Sequence, residues 1–80
     1  MSIDNINNFV KESSIHIANI NRALKNTKSD VMADFIQVKN NNIVISTNKI
    51  TNLLDFQTIK NYIKNTCSIK ADQIESPRLP

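Results

Sequence analysis

Residues Ala33 to Thr47, ADFIQVKNNNIVIST, decide the fold, because only here do the apolar residues alternate instead of recurring at helical spacing. Ile36 and Val38 fall on one face of a first strand and Ile43 and Ile45 on one face of a second, since side chains along a strand alternate with period two. Asn40, Asn41 and Asn42 supply the turn. Asparagine enters the left-handed backbone region more readily than other residues that carry a side chain, and the chain has no glycine for the task. Two registers stay open: a four-residue loop pairs Val38 with Ile43, while a two-residue Asn41-Asn42 turn pairs Val38 with Ile45. Both keep the four apolar side chains together, whereas a one-residue slip would turn them outward. A hairpin alone is marginal in water, so this face needs a cover, and the flanking segments are the candidates.

N-terminal to the hairpin, Ile3, Ile6, Val10, Ile17, Ile20, Leu24 and Val31 form one stripe at three-four spacing, interrupted by Ser13 and more weakly by Thr27. The spacing predicts a single long helix over 4–28, capped by Ser2 or Asp4 and ending in the polar run 26–30. Two roles fit it. As a coiled-coil seam, Ile3, Ile6, Val10, Ile17, Ile20 and Leu24 are the interface of a homo-oligomer, since the heptad period holds for about three repeats. As a helix laid across the sheet it covers the hairpin, and Phe9 and Ile15 favour this by widening the stripe. The turns around Ile3 and Ile6 would then project past the core, free for a partner.

C-terminal to the hairpin, Leu53, Phe56, Ile59 and Ile63 predict a second helix over 53–66, with Asn52 as its cap and Asp55 in its first turn, where the helix dipole favours a negative charge. The remaining segment has room for one short third strand near 73–75 along the hairpin edge, after which Pro77 and Pro80 oppose regular pairing. The expected fold is α+β, a single small domain over 1–76, with 77–80 a linker or tail that looks cut short.

Eighty residues allow one core only. The net charge of +3 sets ten Lys and Arg, no two adjacent, against seven Asp and Glu, a balance that permits nucleic acid without pointing to it. The lone Cys67 excludes an internal disulfide and multi-cysteine zinc sites, which suggests an intracellular setting, cytoplasmic or nuclear. No apolar run is long enough for a membrane span, and no signal peptide is visible. The absence of glycine excludes glycine-rich phosphate loops.

The remaining candidates read blandly. His16 has no second histidine and no cysteine at metal spacing, so it reads as an exposed or flanking helix residue and no metal or cofactor is expected. Ser13, Ser14 and His16 lack an orienting acid and an oxyanion site, so no enzyme is expected. Cys67, near the negative end of a helix, reads as a half-buried structural residue. Lys60 and Lys64, one turn apart, could join Lys39, Lys49 and Lys70 in a weak phosphate-contacting face. Of Phe9, Phe35, Phe56 and Tyr62, three sit where a core would take them, leaving little to stack on bases.

Four blocks in order, Met32-Ala33-Asp34-Phe35-Ile36, Ile45-Ser46-Thr47-Asn48-Lys49, Gln57-Thr58-Ile59-Lys60-Asn61-Tyr62-Ile63-Lys64-Asn65 and Glu75-Ser76-Pro77-Arg78-Leu79-Pro80, resemble fungal Gag-like proteins, the nucleic-acid-binding product of non-LTR retrotransposons. The resemblance spans about 23–80. It implies a truncated N-terminal piece, preceding an RNA-recognition-like segment and zinc knuckles, that contributes to RNA or single-stranded DNA binding or to particle assembly. The alternative is a protein-interaction module that self-associates through its first helix.

Overall fold

Asn40 and Asn41 adopt left-handed dihedrals, φ 54° and 64°. Two such residues in succession make a type I′ turn, whose twist matches that of the strands it joins. The turn closes a hairpin of β1 (Ala33–Lys39) and β2 (Asn42–Thr47) in which Lys39 pairs with Asn42, Val38 with Ile43 and Ile36 with Ile45. Of the two registers open on sequence, the Val38–Ile43 one forms, with its loop tightened to two residues. Asp34 is an extra residue between the Ala33–Thr47 and Phe35–Ser46 pairs, and this bulge places Ala33 and Ile36 on the same inner face.

The computed structural model describes residues 2–80, with side chains from Asn5 onward. The capping roles of Ser2 and Asp4 and the seam position of Ile3 therefore lie outside the described residues. The long helix expected over 4–28 is two helices, α1 (Ser2–Lys11) and α2 (Ser13–Asn26), broken at Glu12, where φ is −106° and ψ 28°. Length explains the break. A straight helix of that span would run about 37 Å at 1.5 Å per residue, while a six- or seven-residue strand covers only about 20 Å. Bending at the polar interruption keeps Ile6 and Phe9 over the core, where they are 2% and 1% exposed. The turn around Ile6 thus does not project freely, since Ile6 is buried, while the side chain of Ile3 lies outside the described residues.

The second helix forms as expected, α3 (Leu53–Cys67), one residue longer than the spacing predicts. Asn52 Oδ1 accepts from the Asp55 amide at 2.8 Å, and the Asp55 carboxylate accepts from the Asn52 amide at 3.1 Å. This reciprocal cap accounts for an aspartate that is only 4% exposed, since the bond its carboxylate accepts from the Asn52 amide replaces lost water. Ser68, at φ 56°, ends the helix in a left-handed turn that a glycine would ordinarily take.

Beyond a 3₁₀ turn at Ala71–Gln73, the tail runs parallel to β2 along its free edge, with bridges Ile43–Ile74 and Ser46–Arg78. Glu75 and Arg78 donate to the carbonyls of Ile43 and Ile45, and the Thr47 amide donates to the Arg78 carbonyl at 3.0 Å. The extended segment thus reaches past 73–75, and part of the expected linker is bonded to the hairpin. Pro77 is tolerated because the donors to β2 come from the residues on either side of it, Glu75 and Arg78.

With β1 on one side and the tail on the other, β2 becomes the middle element, and every residue from Ile43 to Thr47 is buried. Ile43, Ile45 and Ala33 join Ile6, Phe9, Ile20, Leu24, Ile59, Ile63, Ile69 and Ile74 in one core beneath the helices. Val38, expected in that core, is 42% exposed, and Ile36 is only half-buried. The inner face of β1 is thus covered less completely toward the turn than that of β2. Among the described residues no helix is long and apolar enough to cross a membrane.

Candidate functional site

The sheet has two unlike faces. The inner one is the core. On the outer one the register aligns Phe35, Ser46 and Arg78 in a row across β1, β2 and the tail, with Gln37 beside Val44 and Lys39 beside Asn42. Val44 is buried yet stands outside the core cluster. Phe35 is 39% exposed, which leaves ring surface free. The Arg78 guanidinium pairs with Glu75, whose other carboxylate oxygen accepts from Asn42 Nδ2 at 3.4 Å. Both partners of the ion pair keep solvent contact, so the pair is a weak one. The outer face is therefore a shallow polar surface holding one aromatic ring, with cationic side chains at Lys39 and Arg78.

The five lysines proposed on sequence do not converge. Lys39 lies at the turn and Lys49 beyond the opposite end of β2, about 20 Å away along the strand. Lys49 approaches Asp30 at 3.8 Å, with both side chains well exposed. Lys60 sits over the Phe56 ring, 4.6 Å from its centroid, and shares α3 with the exposed Lys64. Lys70 lies in the connection after α3. Only Lys39 belongs to the outer sheet face. Phe35 and Arg78 complete it: the period-two alternation sets Phe35 opposite in face to Ile36, whereas Arg78 was read as part of a tail and reaches the face only through its bridge to Ser46.

The proposed helix interface is occupied within the chain itself. Ile6, Ile20 and Leu24 are at most 2% exposed, and Ile17 packs on the same core. Val10 is half-buried. A self-association seam built on these residues would require the domain core to open.

His16 departs most from expectation, since it is buried. Its ring stacks on Phe9 with centroids 4.5 Å apart, across the α1–α2 break. Asn19 Nδ2 donates to the Tyr62 hydroxyl at 3.1 Å, and that hydroxyl lies 2.8 Å from His16 Nδ1. With Asn19 as the donor to its oxygen, Tyr62 is free to give its own proton to Nδ1, which favours the tautomer protonated at Nε2. Nε2 faces Cys67 Sγ at 3.9 Å. Phe9, His16 and Cys67 border a cavity of about 430 Å³ that Asn5, Asn8, Glu12, Thr66 and Ser68 also line. Burial and then the Glu12 carboxylate raise the Cys67 thiol above its ordinary value. A thiol kept protonated is a poor nucleophile. The cluster ties α1, α2 and α3 together, and among the described residues no buried side-chain nitrogen or oxygen lacks a hydrogen-bond partner.

No protein-family model, curated protein or solved structure matches this chain. Its functional reading rests on the surface just described.

Proposed function

We propose that this chain is a non-enzymatic domain that binds single-stranded RNA or DNA weakly on the outer face of its sheet. The observation that carries this reading is the cross-strand row Phe35, Ser46, Arg78, which offers an aromatic ring and a guanidinium on a face outside the helical core. Stacking on an aromatic ring is tolerant of base identity, and Arg78 and Lys39 supply phosphate contacts at either end of the face. The net charge of +3 and the resemblance to Gag-like proteins lend further support. The protonated thiol at Cys67 argues against covalent catalysis in the chain's one His-Cys cluster.

Fluorescence anisotropy with a labelled single-stranded oligonucleotide at low and moderate salt tests the reading. Binding should weaken steeply with salt, and Phe35→Ala should weaken it about fivefold to a hundredfold, the range of one lost stacking contact. Lys60→Glu with Lys64→Glu, on the helical layer, should matter less than Lys39→Glu. Affinity indifferent to Phe35→Ala, or no binding at low salt, would remove this function.

A further inference from the structure

We propose that the end of the molecule where β1 begins and β2 ends docks an acidic, amphipathic segment of a partner protein. Of the exposed large apolar side chains, Ile50, Leu53 and Leu54 fall within five residues of the β2–α3 connection, at 83%, 73% and 58% exposure. Two more lie at the same end. Met32 is held there by paired hydrogen bonds between its backbone and Asn48, and Leu79 follows the Arg78 bridge to the last residues of β2. Asn52 and Asp55 cap α3 by themselves, so the fold gains nothing from leucines in its exposed first turn, where polar residues would serve equally.

Charge identifies the occupant. Beside Met32 a groove of about 610 Å³ is flanked by Arg22 and Lys25. Lys28 follows at the end of α2 and Lys49 at the end of β2, so this end carries four cations besides Arg78, which Glu75 already pairs. Its exposed carboxylates are Asp30, which approaches Lys49 at 3.8 Å, and Asp34 in the bulge. A second copy docked on the same end would bring the four cations of each chain together. A nucleic-acid strand would meet the cations but bury little against four aliphatic side chains and a methionine. A helix with aliphatic residues on one face and Asp or Glu beside them satisfies both features.

The test is selection of a displayed library of random peptides, about 16 residues long to allow four helical turns, against the full chain and against Leu53→Ser/Leu54→Ser. Both positions are exposed, so the variant should melt with the wild type, and a coincident melt is the control. Enriched peptides should carry aliphatic residues at three-four spacing with flanking Asp or Glu. A synthetic copy of the most enriched should bind the double variant at least about tenfold more weakly. The proposal is overturned by absent enrichment, by enrichment without an acidic bias, or by equal binding to the variant. It is overturned equally if sedimentation finds a concentration-dependent dimer, or flotation finds attachment to phosphatidylserine vesicles, that the double substitution abolishes.

Discussion

At Cys67 the surroundings act on one proton. Burial, and to a smaller degree Glu12, favour the neutral thiol, so the folded chain holds this proton to higher pH than the unfolded one. The sign follows from linkage: the stability this group contributes is fully present below the unfolded thiol's pKa and is lost as pH rises through the higher folded value. Alkylation by iodoacetamide should therefore be slower in the folded than in the denatured chain at mildly alkaline pH. Its rise with pH should move to lower pH in Glu12→Gln, though not all the way, since burial remains. Equal rates for folded and denatured chains would mean that the thiol is not shielded. Neither His16 nor Cys67 announces this environment in sequence: they stand 51 positions apart, and His16 and Tyr62 are 46 apart.

At the scale of elements, legibility follows locality. The hairpin and α3 are written in short-range signals, a period-two alternation around asparagines and an Asn-x-x-Asp cap, and both form close to where those signals put them. The break at Glu12 is written only as the polar interruption at Ser13, and choosing between a straight seam and a bent cover requires knowing how long the sheet is. The buried faces of Ile6, Ile20 and Leu24 make that choice. Ser13→Leu, which would lengthen an apolar seam in a coiled coil, should accordingly leave the chain a monomer. Sedimentation velocity over a hundredfold range of concentration, about the range that separates a micromolar dimer from a monomer, checks this. A dimer strengthened by Ser13→Leu would show that α1 and α2 leave the core.

For the molecule as a whole, the decisive pairing is the most distant one. The outer face is three segments wide only because Arg78 reaches Ser46, and β2 has a partner on each edge only because the tail lies along it. Proline at 77 and 80 argued against that pairing on sequence. Yet the tail is irregular there: its donors to β2, Glu75 and Arg78, stand three residues apart, and Pro77 falls between them at no cost in hydrogen bonds. The outer-face site was illegible for this reason, since one of its two cations depends on a strand that local signals disfavour.

The tail's attachment also sets an order in time. The hairpin closes over a two-residue turn, an event of microseconds, whereas the tail can register only after α3 has brought Ile74 back to Ile43, 31 positions away, and the longer closure costs more chain entropy. The tail should join last and fray first, exposing the free edge of β2 in a state that remains largely folded. Amide hydrogen exchange separates the two layers. The Thr47 amide, bonded to the Arg78 carbonyl, should exchange at the rate of tail detachment, well ahead of the β1–β2 amides. Should Thr47 exchange together with them, the tail would be part of the cooperative core, and β2 would have no moment at which its edge lies open to another chain.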